Sequence, residues 1–574
     1  MKQLFQSLSN GNIEALDIPV PSLKRGCLLI KTSYSLLSPG TERMLVDFGK
    51  ANWIDKARMQ PDKVKDVVDK ARNDGLVSTF EAVKSKLEAP LPLGYSNVGT
   101  VIAVGENVLN FKVGDRIASN GPHAEVVCVP HHLCALIPDE VDDESAVFTI
   151  VSSIGLQGIR LANPTFGETF LVSGLGLIGL LTAQMLVKQG CRVLGVDPDA
   201  SKCSLAESLG ISTLNLSNGI DPVGWCLDET LGVGIDGALI TAATSSSDPI
   251  HIAAMACRHR GRIVLVGVTG MELRRDLFYK KELTFQVSCS YGPGRYDNAY
   301  EQNGHDYPIG FVRWTEQRNF QAVLNTLATR GIEVAPLISH RFPFEKAIEA
   351  FELLVSSEDS LAILLEYSRN VDHVKSTLKL RKELDFECET KQKPIVGVIG
   401  VGNYASRFLI PSLYKAGAKF STIVSSHGLA PLRLGRKFGF AQASTNVKSI
   451  FDDPKCNTVV ITTRHDSHAA LVQEALAKKK NVFVEKPLCL TIKELEKIES
   501  IYTGKQILMV GFNRRFAPLT LDLKKELNRF HSPVSFVFTC NAGYIPKEHW
   551  TQDPSLGGGR LIGEACHFID LLRY

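Results

Sequence analysis

Twice in this chain an apolar strand runs into a glycine-rich turn and straight on into a helix. The two turns are Gly174-Leu-Gly176-Leu-Ile-Gly179 and Gly400-Val-Gly402-Asn-Tyr-Ala405. In such a turn the first glycine permits the tight bend, and the second lets the backbone approach a pyrophosphate. The third allows helix and strand to pack closely, and the helix N-terminus supplies partial positive charge. Alanine as the third residue, at Ala405, still packs closely. Around the first turn, residues 168–268 alternate strand and helix (TFLVSG, LIGLLTAQMLVKQG, CRVLGVD, SKCSLAESLG, IDGALIT, GRIVLVG). Residues from 394 onward repeat that design. Alternation on this scale means βαβ units and a parallel sheet, so the expected class is α/β with two dinucleotide-type folds in tandem. Asp197 ends the strand after the first turn, eighteen residues beyond Gly179. An acid there accepts ribose hydroxyls and repels a 2′-phosphate, which favours NAD at the first site. The corresponding second strand ends Ser425-Ser426-His427 without an acid, leaving NAD and NADP both open there.

The rest of the sequence narrows the class further. The uncharged run from Thr169 to Val187 is long enough to raise a membrane span, but its glycines and polar residues suit a strand–turn–helix better. With 574 residues, 44% hydrophobic and 22% charged, the chain can build several cores. A net charge of +3 without a basic stripe makes nucleic acid an improbable partner. Thirteen scattered cysteines, none spaced CxxC, suit a reducing cytosol. The N-terminus lacks a signal-peptide layout, so a cytoplasmic location is expected. The first 130 residues read as short strands, interrupted by an amphipathic helix carrying Val64, Val67, Val68 and Ala71 on one face. Residues 368–393 are polar and charged, and read as a linker.

Residues 1 to about 367 resemble the medium-chain dehydrogenase/reductase family. The resemblance lies in PLGYSNVGTVIAVGENVLNFKVGDRI (92–117), the first glycine turn and FPFEKAIEAFELL (342–354). It implies a split, mainly β catalytic domain of the GroES-like kind flanking a dinucleotide-binding domain. Zinc members carry a Cys where this chain has Ser38-Pro39-Gly40-Thr41-Glu42, and His-Glu where it has Tyr95-Ser96. No Cys or His lies between Cys134 and Cys191, where a third ligand belongs. Zinc needs converging N, S or O ligands, so no metal is expected in this half. Thr41 matches the hydroxyl of the family's proton relay. Tyr95 either joins the proton transfer or fills the volume a metal would have taken. Glu42 reads as a solvated or turn-stabilising acid, and His131-His132 as surface.

Residues 394–574 resemble the Gfo/Idh/MocA oxidoreductases through five ordered motifs: GVIGVGNYA, TTRHDSH, EKP, GFNRRF and GGGRLIGEACHFID. By that resemblance Lys486 is the catalytic lysine and His567 the substrate-side histidine, while His468 and Glu485 flank the cofactor. The family's Asp four residues before that histidine is Gly563 here. Glu564 on the same helical face could replace it, and Asp570 could instead orient the imidazole.

The expected layout is a catalytic domain at 1–130 and 270–367, a first Rossmann domain at 131–269 and a linker at 368–393. A second Rossmann domain follows at 394–512, then a partial α+β substrate domain at 513–574. That last segment offers one clear strand (533–540) and two helices. It is therefore expected to be an incomplete sheet that packs poorly, leaving the second site incompetent. The order of halves resembles bi-domain oxidoreductases of bacterial surface-polysaccharide metabolism. It implies a nicotinamide-dependent oxidoreductase for a polyol or sugar-derived hydroxyl, with net epimerisation or an inactive nucleotide sensor as alternatives. A small sugar or polyol substrate and a homo-oligomer are expected as partners.

If Asp197 selects the cofactor, the first site prefers NADH. Replacing it by alanine should then erase the preference, because a carboxylate–phosphate repulsion of about 1–2 kcal/mol is about five- to thirtyfold in affinity. Titration of wild type and Asp197→Ala with NADH and NADPH checks this, and an NADPH preference in the wild type refutes it.

Overall fold

The computed structural model describes the chain except Ser9, residues 51–89, 357–359, 369–374, 382–393, Ala542 and Glu548. The amphipathic stripe expected at Val64–Ala71 lies outside the described residues. The chain divides into two units, Met1–Asp17 with Leu23–Asp372, and Ile18–Ser22 with His373–Tyr574.

In the first unit six parallel strands form one sheet. Their spatial order is Ser212–Asn215, Arg192–Asp197, Thr169–Ser173, Ile235–Ile240, Cys257–Leu265 and Thr284–Val287. In sequence terms this is 3-2-1-4-5-6, whose switch point lies between the first and fourth strands. The apolar strand residues Phe170, Leu171, Val172, Leu194 and Ile240 are buried because helices cover both faces. Thr284–Val287 pairs in parallel with Cys257–Leu265. The first Rossmann domain therefore extends past residue 269 into the range expected for the catalytic domain.

The catalytic domain is built on a seven-stranded sheet. Cys27–Leu37 pairs antiparallel with Asn97–Val104, Val126–Pro130 and Ile363–Glu366, and Cys134–Leu136 lies at one edge. That edge strand falls inside the range assigned to the Rossmann domain, so this boundary also moves. A smaller sheet joins Lys2–Gln6, Ile13–Asp17 and Leu91–Pro92.

The second unit repeats the 3-2-1-4-5-6 order with Ile395–Ile399 as its first strand. One extra strand, Thr377–Lys379, runs antiparallel along Gln442–Ser444. It lies within the stretch expected to be a linker, where the short TLK alternation was masked by flanking charge. Ile18–Ser22 also belongs here rather than to the catalytic domain. Val20 N donates to Lys375 O at 3.1 Å, and Ser22 N to Ser426 O at 3.1 Å. The Thr445 hydroxyl donates to Val20 O at 2.5 Å.

Beyond the sixth strand, Pro518–Leu527 and Cys566–Arg573 are helices, as expected. The expected strand at 533–540 does not form, and no described strand pairs with that segment. Val534, Phe536 and Phe538 are about half exposed, and Val537 is 95% exposed. Phe538 nevertheless stacks on Phe568, ring centres 4.6 Å apart.

Thr445→Val leaves the Val20 carbonyl buried without this donor. It should cost about 1–2 kcal/mol, seen as earlier urea unfolding of the second unit. An unchanged midpoint would show that Ile18–Ser22 is only draped on the sheet.

Candidate active sites

Each glycine turn makes a cradle open on one side. Gly174 has φ +97°, and a Cβ there would lie 2.6 Å from Ala242 N; one on Gly179 would lie 1.9 Å from Gly174 O. At Gly176 nothing stands within 4 Å of such an atom. The following helix, Leu177–Lys188, has no side-chain cap on its first amides. Gly400 at φ +95° meets the Thr462 backbone at 2.6 Å in the same way, and Gly402 is open like Gly176. Ala405 is buried and starts a π-helical turn, Ala405–Leu409. An open glycine position beside helix amides that no side chain caps fits a pyrophosphate in both units. Sequence reading missed a matching lock: Thr241 donates to Gly174 O at 2.6 Å and Thr462 to Gly400 O at 2.7 Å. A threonine directly after the fourth strand (ALIT, VVIT) was the available signal.

Asp197 is 6% exposed and already holds the turn. Its Oδ2 accepts from Leu175 N at 2.7 Å and its Oδ1 from Asp199 N at 2.9 Å. Each oxygen keeps a second lone pair for a ribose hydroxyl.

On the substrate side of the first unit, Thr41 lies in the first turn of helix Pro39–Lys50, and Tyr95 just before strand Asn97–Val104. The Tyr95 hydroxyl donates to Thr41 Oγ1 at 3.2 Å. Burial, with a smaller contribution from the Glu42 carboxylate, pushes the Tyr95 phenol up to about 12. Ser96, at the other former ligand position, donates to Val147 O at 2.6 Å and is committed to packing. Two residues join this site that sequence reading missed. Asn120 Nδ2 donates to Tyr95 O at 2.8 Å and to Tyr291 Oη at 3.0 Å. The signal for Tyr291 was the SYGPGR turn after the sixth strand, whose Gly292 and Gly294 take φ +112° and +105°.

Two sequence readings are corrected here. Glu42 is neither solvated nor a turn acid, because it is fully buried against His123. His132 is not a surface residue, being 6% exposed and stacked on Tyr300 at 4.3 Å.

In the second unit Lys486 follows strand Asn481–Val484, and its Nζ donates to the Gly563 carbonyl. The backbone thus supplies an acceptor where the resemblance had led us to expect a carboxylate. Glu564 does not replace that carboxylate, and Asp570 is engaged elsewhere than on the His567 ring. Glu564 pairs with Arg560 at 2.9 Å, and Asp570 takes the Arg515 guanidinium. His567 follows the π-helical turn Leu561–Ala565, a form often found at functional sites. Burial, then the neighbouring Lys486 and Arg514 charges, lower its pKa to about 4, so the imidazole is neutral at physiological pH. Its Nδ1 is buried and has no partner.

Glu485 is partly buried, with its pKa raised by burial and Oε1 unpartnered. His468 does not face outward as a cofactor contact. It is fully buried, with Nδ1 2.7 Å from Pro487 O and Nε2 3.2 Å from Thr463 O, and it ties the TTRHDSH loop to EKP.

Behind Tyr291, Glu316 is fully buried, and neither carboxylate oxygen has a partner. Burial and the Glu301 charge raise its pKa to about 8. A carboxyl raised on folding binds a proton more tightly folded than unfolded. Stability therefore falls as pH rises from about 5 to about 8. Glu316→Gln should flatten that part of the stability–pH curve and raise stability at pH 8. An unchanged curve would mean that Glu316 finds a cationic partner.

Residues 70–139 match the alcohol dehydrogenase GroES-like domain, and residues 178–303 match the family described as zinc-binding dehydrogenase. Residues 395–512 match the Gfo/Idh/MocA oxidoreductase family, NAD-binding Rossmann fold. D-xylulose reductase of Saccharomyces cerevisiae is 26% identical over 303 residues, 46% of this chain and 78% of that protein. Sorbitol dehydrogenase of Homo sapiens is 25% identical over 298 residues, 46% of this chain and 77% of that protein. The crystal structure of galactitol-1-phosphate dehydrogenase from Escherichia coli superimposes with TM-score 0.50 and 18% identity, covering 64% of this chain and all of that one. Among the described residues no helix is long and apolar enough to cross a membrane. Glycine cradles, strand-end acid, lysine and sheet order all agree with these matches: the chain is a two-part NAD(P)-dependent oxidoreductase, an alcohol-dehydrogenase-type unit joined to a Gfo/Idh/MocA-type unit.

Proposed function

We propose that both units oxidise or reduce a polyol or sugar-derived hydroxyl, on a sugar nucleotide used for surface polysaccharide, without zinc. The observation that carries this reading is the lysine–histidine arrangement of the second unit. Lys486 Nζ is held by a main-chain carbonyl at a strand end, beside a neutral His567 whose Nδ1 is unpartnered. A bound nicotinamide dinucleotide supplies or accepts hydride at its ring. Lys486 then holds or moves the proton of the substrate hydroxyl, and His567 orients that hydroxyl by hydrogen bonding.

In the first unit the Tyr95–Thr41 hydroxyl pair handles the same proton. The zinc-free reading of the first site is supported by the donor set, since Tyr95 and Ser96 are bonded to Thr41 and Val147 rather than converging on a common point. The polyol class is supported by the sorbitol and xylulose relatives, and the NAD preference by Asp197. The sugar-nucleotide assignment rests on the order of the two halves. Two complete nucleotide-binding sheets on one chain also favour a second reading, oxidation in one unit and re-reduction in the other, which yields an epimer without net NADH.

Lys486→Met and Tyr95→Phe, alone and combined, test the reading in the full chain against a panel of polyols and sugar nucleotides. Each single variant should lower the turnover it serves by about 10²–10⁴ while NADH binding is little changed. Turnover retained in the double variant refutes the proposal. About one zinc per chain by metal analysis refutes its metal-free part, and isomerised product without NADH accumulation selects the epimerase.

A further inference from the structure

One buried imidazole in the first unit touches both stretches of chain that carry the Tyr95–Thr41 pair, one through the Glu42 side chain and the other at the main chain. His123 Nε2 lies 3.0 Å from Glu42 Oε1 and 3.3 Å from Oε2. Its Nδ1 lies 2.8 Å from Ser35 Oγ, which in turn meets the Tyr367 hydroxyl at 2.9 Å. Glu42, His123 and Ser35 are all completely buried. Glu42 is the residue after Thr41, and Gly94 the residue before Tyr95. Gly94 sits at φ +92°, and a Cβ there would lie 2.6 Å from His123 Cγ. His123 N also donates to Leu93 O at 2.8 Å. The ring is therefore bonded to the helical turn bearing Thr41 and lies flush against the strand approach bearing Tyr95.

Both ring nitrogens have partners, so the ring cannot rotate without leaving a buried carboxylate unpaired. Phe351 packs edge-on at 6.0 Å and blocks one direction of movement. The Tyr95–Thr41 bond, at 3.2 Å, is already longer than an ordinary hydroxyl–hydroxyl hydrogen bond. A relative shift of about 1 Å between the two main chains would break it, since neither side chain is long enough to follow.

We propose that His123 is the positioning residue of the first site: through Glu42 and the backbone at Gly94 it sets the separation of Thr41 and Tyr95. The proposal rests on reading that pair as the proton-handling groups. Glu42 has a second effect, because its buried charge opposes formation of a phenolate at Tyr95. Among the described residues, the other titratable group facing Tyr95 is Tyr291, from the loop after the sixth strand.

The test uses the full chain labelled with 3-fluorotyrosine, the Tyr95 ¹⁹F signal being assigned by its loss in Tyr95→Phe. His123→Leu should shift or broaden that signal and lower kcat on sorbitol by about ten- to a hundredfold, at unchanged KM and NADH affinity. His123→Gln, which can still bond Glu42 and Ser35, should restore both. Glu42→Gln should lower the Tyr95 titration midpoint. A merely structural histidine would lower Tm in His123→Leu yet leave the Tyr95 signal, its midpoint and kcat as in the wild type, and that result overturns the proposal. Should His123→Leu not fold, a wild-type midpoint in folded Glu42→Gln overturns it instead. If Tyr95→Phe leaves turnover intact, the reading of the site fails with it. If turnover needs Tyr95 and is indifferent to His123, only the positioning role fails.

Discussion

At the switch point of each parallel sheet, the first and fourth strands come too close for any side chain to stand between them. Gly174 against Ala242 and Gly400 against Thr462 both leave 2.6 Å where a Cβ would need well over 3 Å. Positive φ at these residues turns the chain sharply enough for a helix to begin with its amides bare. The threonine hydroxyls of Thr241 and Thr462 then hold the turn from the neighbouring strand. The cradle that each unit offers a dinucleotide depends on this contact, which sets the open side at Gly176 and Gly402 and the direction of the helix that follows.

In the proposed function the two units use different groups to handle the proton. The first sets two hydroxyls against each other and raises the phenol by burial. The second keeps an ammonium against a main-chain carbonyl and a histidine that burial and nearby positive charge hold neutral. Both rely on a buried histidine to tie two loops together, His123 in one and His468 in the other. In each case the two ring nitrogens both face partners. An imidazole suits this task because it carries two bonding positions on a rigid ring that can be buried at small cost once both are satisfied.

The sheets, their order along the chain and the glycine cradles were legible because they rest on local signals, namely strand-then-helix periodicity and residues that only a tight turn requires. Lys486 was singled out because strand ends in such a sheet point toward the ligand, whereas His567, on a helix, was singled out only through the resemblance of its motif. Glu42 and His132 were misread because burial of a polar side chain depends on what the tertiary fold brings opposite it. A lone acid or histidine in sequence carries no sign of His123 or Tyr300. The strand expected at 533–540 has the right alternation, but a strand exists only when another pairs with it. Thr377–Lys379 failed in the opposite sense: three weak residues became a strand because an edge was offered to them.

By itself, then, the sequence determined two parallel α/β sheets, the places where each binds a nucleotide, an acid suited to ribose at the first, and a lysine at a strand end of the second. These follow from backbone geometry that only glycine, or a small residue, can satisfy at fixed spacing. Tertiary structure alone decided that Ile18–Ser22 completes the second unit, that Gly563 supplies a carbonyl to Lys486, and that Glu42 and His123 share a buried bond beside Tyr95 and Thr41. Those contacts join residues between 77 and more than 400 positions apart. No local pattern encodes them, because their energy comes from desolvating polar groups that meet only once the chain has packed.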